Sequence, residues 1–551
     1  MTDAAHSPAR SDPAPPAAFA PLRHRLFAVI WAATVLGNVG TFMRDVASAW
    51  LVLDLSPSPA AVSLIQAAAT LPVFLLAIPA GVLSDIVDRR RLLIGIQCGL
   101  ACVSTALLVL AWSGIASVAS LAALTFLGGV GAALASPSWQ SIVPELVPRP
   151  MLKGAVALNS LGFNISRAIG PALGGVLLAA FGAAATYAAD VASYVVVVAA
   201  LVWWTRAPPS PDDLPERFTG ALRAGLRFAR ASRELHRVLW VGGLFFVCAS
   251  AVWALLPLIA GPLLGGGPGF YGMALGGIGA GAVIGAVLLG RVRQRVGAEG
   301  VVAGGAVVTA AVLVVLALVP PLWLAVPVLL GLGMAWIAVL TTLSATTQAI
   351  LPNWVRGRGL ALYLTLFNGA MTVGSLAWGM VASAAGVPAA LLVAAGGMLV
   401  VGLVARRWPL PAGDEDLTPA ISWPDPVLAA PLEQAGVHDR GPVLITVEYR
   451  IAADDRRAFD ATLPRLSQQR RRDGAYAWGI AEDASDPERL LEWFFVESWA
   501  EHLRQHRRVS RADADLQAAQ RTLHRGASPP VVSHFLAFDP HPPADPPDGR
   551  S

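Results

Sequence analysis

Charged residues are scarce in this chain of 551 residues: 14% are Asp, Glu, Lys or Arg, whereas 55% are hydrophobic. A soluble globular protein carries roughly 25% charged residues, so this chain cannot cover its whole surface for water. The shortage is uneven, because charges are sparse from about Leu26 to Val404 and reach ordinary density from about Asp414 onward. This change of composition predicts a boundary between a membrane-embedded part and a soluble part.

Lysine and cysteine are scarce as well. Lys153 is the single lysine among 40 basic residues, and acidic and basic residues nearly balance in the C-terminal part. A basic stripe on a water-facing domain is therefore missing, which argues against nucleic-acid binding. The three cysteines, Cys98, Cys102 and Cys248, fall in apolar stretches, so a disulfide framework is excluded.

Two further motifs are missing. Residues 1–21 lack an apolar core followed by a cleavage site, so we interpret them as a disordered cytoplasmic tail and not as a signal peptide. A Walker phosphate-binding loop, Gly-x-x-x-x-Gly-Lys-(Ser/Thr), is absent from the sequence, which argues against ATP-driven transport.

Long apolar runs dominate the rest of the chain. A membrane-spanning helix needs about 20 apolar residues, and runs of suitable length recur at 26–53, 59–84, 92–112, 117–142, 153–181, 184–205, 238–262, 269–290, 300–320, 322–350, 359–385 and 387–405. Alternate connections contain almost all of the basic residues, for example Arg89-Arg90-Arg91 and the stretch 206–237. Because basic residues stay cytoplasmic, we predict twelve spans in a bacterial inner membrane with both termini in the cytoplasm.

The two halves of this region repeat each other. Gln140, Pro144 and Val147 match Gln348, Pro352 and Val355 in register, and nearly the same offset relates Gly81 to Gly290. Duplicated halves of six spans are typical of transporters that rock around a site at the membrane midplane.

The loop after span two reads Gly81-Val-Leu-Ser-Asp85-Ile-Val-Asp-Arg89-Arg90-Arg. It resembles the signature of the major facilitator superfamily, Gly-x-Leu-x-Asp-(Arg)-x-Gly-Arg-(Arg/Lys)-x-(Arg/Lys). The chain departs from that signature at Ile86, Asp88 and Leu92. Gly81 would let helices approach closely. The resemblance implies a conformational latch in which Asp85 faces the N-terminal end of span eleven. A solvated charge run would explain the arginines but not Asp85.

Span five contains Gly170-Pro171-Ala-Leu-Gly174-Gly175. This segment resembles the antiporter motif of drug–proton exchangers in the same superfamily. Simple helix packing is the alternative explanation, since small residues and proline are common in membrane helices.

A wider stretch from Pro137 to Pro171 resembles the branch that contains enterobactin-type siderophore exporters and macrolide efflux proteins, the transmembrane secretion effector type. The resemblance covers roughly residues 22–407. The chain departs from many proton antiporters of the superfamily in span four, where Thr125 stands at the position of the usual arginine.

Four charged residues lie within predicted spans: Arg44, Asp45, Arg167 and Asp190. Charges in the membrane are costly and are functional candidates by default. A structural ion pair or a side chain that reaches the membrane surface is the alternative for Arg44. We predict that Arg167 lies near Asp45 or Asp190, and that Asp45, Arg167 and Asp190 couple protons to substrate movement.

The C-terminal part alternates strands and helices in the order β-α-β-β-α-β, which is the ferredoxin-like order. The order and the Ser498-Trp499-x-Glu501-His502 segment resemble dimeric α/β-barrel domains related to antibiotic-biosynthesis monooxygenases. His502 and His506 are one helical turn apart, but the sequence offers no third metal ligand and Glu501 lies on another face. We therefore assign no metal or cofactor, and we expect a solvated helix face in a module that dimerises, regulates or senses a ligand.

The sequence thus predicts an all-α polytopic membrane protein of the major facilitator fold with a C-terminal α+β domain. Its expected parts are a tail at 1–21, six-helix halves at 22–206 and 238–407, linkers at 207–237 and 408–441, the soluble domain at 442–539 and a tail at 540–551. The expected function is export of a siderophore, macrolide or other drug-like compound by proton antiport, without enzymatic activity. A nutrient importer and a membrane-anchored sensor or enzyme are the alternatives.

Overall fold

The structure is a computed structural model that describes residues 19–205, 218–352, 354–413, 415–420, 422–423, 426–428 and 440–537. The predicted tails, apart from 19–21, lie outside these residues. So do parts of both predicted linkers, at 207–217 and 429–439. The side chain of Asp85 also lies outside the described part, although its backbone belongs to a helix.

Eleven helices make up the chain up to the soluble domain, within the described ranges. They are α1 (Arg25–Leu55), α2 (Pro59–Ile86), α3 (Arg89–Ser113), α4 (Val118–Leu146), α5 (Leu152–Trp203), α6 (Phe218–Ala231), α7 (Arg233–Leu258), α8 (Pro268–Ala317), α9 (Leu322–Ala349), α10 (Arg356–Ala385) and α11 (Val387–Arg407). All except α6 are long and apolar enough to cross a membrane. Large apolar side chains such as Leu75, Val287 and Leu403 are exposed on them, as a lipid-facing surface requires.

Two helices are twice the length of a single crossing. Helix α5 has 52 residues and α8 has 50, and each would be about 75 Å long if straight, more than double the ~30 Å hydrocarbon core. Each is interrupted by a glycine at positive φ, Gly182 (φ 79°) in α5 and Gly297 (φ 69°) in α8. Glycine adopts this conformation without the steric cost that a Cβ brings. The ten apolar helices therefore supply the twelve predicted crossings.

The soluble domain consists of β1 (Val443–Arg450), α12 (Arg456–Asp473), β2 (Ala477–Asp483), β3 (Asp486–Val496), α13 (Trp499–Arg508), α14 (Arg511–Thr522) and β4 (Val531–Leu536). Its antiparallel sheet has the strand order β2-β3-β1-β4, which is the predicted ferredoxin-like arrangement. Alternate residues of β1, from Val443 to Tyr449, are buried beneath the helices.

The second helix of this domain, which the β-α-β-β-α-β order predicts as one helix, is two helices in the structure. It is divided at Val509 and Ser510, because Ser510 begins α14 with a capping box. The Ser510 hydroxyl accepts from the backbone N–H of Asp513, and the Asp513 side chain accepts from the backbone N–H of Ser510. These two bonds satisfy N–H groups that a continuous helix would have paired internally.

The chain forms two compact units that cut across the expected domain boundaries. One comprises Met1–Asp212, Val241–Thr342 and Leu364–Pro409 and holds most of the membrane helices. The other comprises Asp213–Trp240, Leu343–Tyr363 and Leu410–Ser551. The soluble domain therefore shares its unit with α6, the start of α7, the end of α9 and the start of α10, whereas the sequence suggested that a linker isolates it.

Candidate functional site

A cavity of about 920 Å³ lies among α1, α3, α4 and α5. Its walls carry amide side chains and aromatic rings, including Asn38, Gln97, Asn159 and Trp139. A volume of this size suits a drug-sized molecule, and scattered polar groups on apolar walls are typical of small-molecule sites.

Arg44 lies at this cavity and joins two carboxylates. Its side chain donates to Asp45 at 3.0 Å, and its Nη1 lies 4.0 Å from an oxygen of Asp190. The same nitrogen donates to the Tyr194 hydroxyl at 3.2 Å. Arg44 is 8% exposed and Asp190 is fully buried, whereas the side chain of Asp45 is 51% exposed. The arginine is thus shared between one buried and one accessible acid.

Asp190 is only partly satisfied by hydrogen bonds. The Ser104 hydroxyl donates to its Oδ2 at 2.6 Å, while its Oδ1 has no partner among the described residues. Gly40 of α1 allows the close approach of the two helices, since a methyl group there would lie 2.8 Å from Oδ1 of Asp190. A buried carboxyl beside an arginine within a span is a functional candidate by default.

The structure corrects the expected position of Arg167. Its guanidinium lies 5.6 Å from the ring centroid of Trp253, in a cation–π contact, and among the described residues it pairs with neither Asp45 nor Asp190. Arg44 is the arginine that lies beside these two aspartates. A methyl group placed on Gly128 of α4 would lie 3.6 Å from the Arg44 guanidinium. Span one thus directs Arg44 toward α4 at Gly128, three residues along that helix from Thr125.

The loop signature shows a different arrangement from the one expected at Gly81. A methyl group placed there would meet no heavy atom within 4 Å, so the close helix approach that we predicted is not seen in the described part of this conformation. Arg89 pairs with Glu145 at 3.2 Å. Arg90 donates to the backbone carbonyls of Leu201 and Val202 at 2.9 and 2.7 Å, where a cation is favourable because these carbonyls end helix α5. The latch role of Asp85 stays a prediction.

The Gly-Pro-x-x-Gly-Gly segment does bring helices close together. Methyl groups at Gly170 and Gly174 would lie 2.7 Å from Phe42 and 2.8 Å from Met43 on α1. At Gly175 the Cα of Gly272 in α8 would be 2.6 Å away. These glycines therefore fix the contacts of α5 with both α1 and α8, although the antiporter role of the segment stays a prediction.

A second cavity, of about 370 Å³, lies in the soluble domain, and three histidines line it. His502 and His506 come from α13 and His534 from β4, and one ring nitrogen of each lies within 4.8 Å of the others. His502 is 2% exposed, so the expectation of a solvated helix face is wrong for this residue. Burial, with His506 and His534 as neighbours, lowers the pKa of His502 to about 3.

His534 is the ligand candidate that the sequence interpretation missed. It lies opposite Ile445 in the sheet, and opposite residues of an antiparallel pair share a face. The alternation of side chains along β4 indicates that His534 faces the domain core. It is two residues from both Val532 and Leu536, which pack against that core. What the alternation could not show is that β4 pairs with the central strand beneath α13.

Helix α13 also carries contacts to the membrane-proximal segments of its unit. Glu501 accepts from Arg508 at 2.6 Å and from Arg227 of α6 at 2.8 Å. The Arg508 guanidinium stacks 4.4 Å from the ring centroid of Trp354, which immediately precedes α10. Gln468 of α12 donates to Glu234 of α7 at 3.1 Å. The soluble domain is therefore docked on α6, α7 and the segment before α10.

The family model of the transmembrane secretion effectors matches residues 16–541. The staphyloferrin A transporter of Staphylococcus aureus is 25% identical over 261 residues, which are 47% of this chain and 65% of the relative. Macrolide efflux protein A of Streptococcus pyogenes is 24% identical over 48% of this chain and 66% of its own length. This chain thus spans slightly less than two thirds of those two relatives.

A longer match is to the multidrug efflux pump Tap of Mycobacterium tuberculosis, which is 25% identical over 72% of this chain and 96% of the pump. Among solved structures, a bacterial homologue of the human lysosomal transporter Spinster is 15% identical with a TM-score of 0.58, covering 71% of this chain and 98% of that one. The nucleoside transporter NupG is 10% identical with a TM-score of 0.59, covering 70% and 100%. At these identities the structures show a shared fold.

Proposed function

Because this chain belongs to the transmembrane secretion effector family of major facilitator transporters, we propose that it exports a small molecule across the bacterial plasma membrane in exchange for protons. Its termini lie in the cytoplasm, since the basic loops lie on that side. Export is favoured over nutrient import because two of the three relatives above are named efflux proteins.

The observation that carries the proposal is the pairing of Arg44 with Asp45 and Asp190 at the edge of the 920 Å³ cavity. When Asp190 is ionised, it attracts Arg44 and draws α1 and α5 together. When Asp190 binds a proton, this attraction is lost and Arg44 is left to Asp45, whose side chain is accessible. Protonation of Asp190 thus determines which carboxylate binds Arg44, and the helices that line the cavity move when this partner changes.

The latch expected from the loop signature is proposed as a second element of the cycle. Asp85 would hold the cytoplasmic side closed in one conformation through the N-terminal end of the helix that begins at Arg356. Asp85→Asn should impair transport and leave membrane insertion unchanged, because it weakens a contact between helices and no span. Equal transport by this variant and the parent at matched expression would remove the latch from the mechanism.

Uptake into inverted membrane vesicles with an imposed pH gradient tests the direction and the coupling. Radiolabelled erythromycin, a macrolide, and staphyloferrin A are suitable first probes. We expect accumulation in the parent vesicles that collapses when a protonophore removes the gradient. Asp190→Asn should retain binding and insertion but lose the pH-driven accumulation, since an amide cannot exchange a proton. Accumulation by Asp190→Asn equal to that of the parent would exclude Asp190 as the coupling group.

A further inference from the structure

The three histidines of the soluble domain form a convergent set of nitrogen donors. His502 and His506 are one helical turn apart on α13 and share one face, and His534 reaches the same point from β4. Around them, the cavity wall is formed by Ile445, Val447, Phe494 and Val532, among other residues. Three imidazoles thus meet at the edge of a largely apolar cavity.

Hydrogen bonding fixes which nitrogen His502 presents. Its Nδ1 lies 3.2 Å from Oε1 of Gln505. Since an amide oxygen only accepts, Nδ1 carries the proton and Nε2 carries the lone pair. An Nδ1–H held by a neighbouring acceptor is the usual way in which a protein orients a metal-binding histidine.

Two of the ring nitrogens are left without partners in the interior. Nε2 of His502 and Nε2 of His534 are buried and make no hydrogen bond to any described residue. An unsatisfied buried polar atom costs roughly 1–3 kcal/mol. The ring centroid of Trp499 lies 5.6 Å from that of His502 and 5.7 Å from that of His534. This packing accounts for the position of the two histidine rings but leaves their Nε2 atoms unpaired. A bound cation would satisfy both.

We propose that the soluble domain binds one divalent transition-metal ion, of the Zn²⁺ type, through His502, His506 and His534. Imidazole nitrogen suits zinc and its first-row neighbours, whereas calcium and magnesium require oxygen ligands. Nitrogens bound to a tetrahedral zinc lie about 3.3 Å apart, as bond lengths of 2.0–2.1 Å require. The ligand nitrogens of the three histidines lie up to 4.8 Å apart in this structure. Small rotations of the histidine side chains would shorten these distances to the value that zinc requires.

Since all three histidines line the cavity, a fourth coordination position would open toward it. Three protein ligands with one open position are typical of zinc sites that bind or activate a further molecule. Arg470 lines the same cavity, but its charge is balanced by Glu492 at 2.9 Å. Gln505 also lines it, and its buried amide nitrogen has no partner in the described part of the chain. The open position thus suits water or a small organic donor that accepts a hydrogen bond from Gln505.

Metal binding to the full-length protein in detergent tests this site. After removal of metal with a chelator, Zn²⁺ is titrated by calorimetry, and Co²⁺ is added as a probe whose visible absorption reports tetrahedral nitrogen coordination. We expect one equivalent of Zn²⁺ per chain. His534→Gln and His502→Gln should lose this binding, and Gln505→Leu should weaken it about ten- to hundredfold by releasing the ring of His502.

His236→Ala is the matched control, since His236 is exposed on α7 and lies outside the cluster; it should bind Zn²⁺ like the parent. Gel filtration and thermal melting of each variant show whether the protein remains folded. The proposal is overturned if the parent takes up no Zn²⁺ at micromolar concentration, or if folded His534→Gln binds it as tightly as the parent. Neither result depends on transport activity, so this experiment tests the metal site independently of the export function.

Discussion

At the scale of single residues, Arg44 is the central charge of the proposed coupling site. It contacts two acids and a tyrosine, whereas Arg167 lies over a tryptophan ring. The position of an arginine in a span does not reveal its partner, because the rotation of each helix about its axis decides which way the side chain points. We therefore propose the coupling role for Arg44, and Arg167 is the weaker candidate.

Arg44→Ala should reduce pH-driven accumulation to background, because it leaves Asp190 buried without its cation, at a cost of about 3–5 kcal/mol. Arg44→Lys should recover part of the activity, since the charge is kept but the planar fork that reaches both acids is lost. Arg167→Ala, measured in the same vesicle assay, should have the smaller effect because a cation–π contact contributes about 0.5–2 kcal/mol. Full transport by Arg44→Ala at matched expression would contradict this ranking.

At the scale of helices, close contacts at glycine determine how α5 meets its neighbours. The contact between Gly175 and Gly272 joins α5 to α8, and hence the first six spans to the second six. Such backbone contacts are a main source of helix association in membranes, where lipid is as apolar as the side chains.

Gly175→Ala should destabilise the protein by roughly 1–3 kcal/mol, because the added methyl group forces the two backbones apart. The matched control is Gly304→Ala in α8, where a methyl group would meet no heavy atom within 4 Å and would favour the helix by up to about 1 kcal/mol. Thermal melting in detergent should therefore show a lower Tm for Gly175→Ala and an unchanged or higher Tm for Gly304→Ala. Equal melting of the two variants would show that the α5–α8 contact is not tightly packed.

At the scale of the whole molecule, the soluble domain is built onto the segments that enter α7 and α10. Arg508 contributes by stacking on Trp354, and its ion pair with buried Glu501, which lies within α13, orients its side chain. Arg227 contributes from α6 by pairing with Glu497 and Glu501 at 2.6 and 2.8 Å. The soluble domain therefore contacts the segments that lead into both helices.

Arg508→Ala should loosen this docking by about 1–3 kcal/mol, because Glu501 loses a charge-assisted hydrogen bond and Trp354 loses its stacked cation. Hydrogen exchange on the full-length protein should then show faster exchange in α6 and in the segment around Trp354, while the strands of the domain stay protected. Arg507→Ala serves as the control, since Arg507 is exposed on the same helix. Unchanged exchange in Arg508→Ala would mean that the docking depends on other contacts.

The number of spans, the six-plus-six repeat and the ferredoxin-like order of the soluble domain were predictable without coordinates. These properties depend on local patterns: runs of apolar residues, alternation in strands and the charge of loops. The sequence also placed the breaks of α5 and α8 correctly, because Gly182 and Gly297 fall between adjacent apolar runs.

Which distant residues contact each other is visible only in the folded chain. Arg44 and Asp190 are far apart in the chain, as are His502 and His534, and Arg227 and Glu501. Each pairing depends on how helices rotate and on which strands are neighbours in the sheet. Those choices follow from the packing of many side chains at once, so no single segment of the sequence carries them.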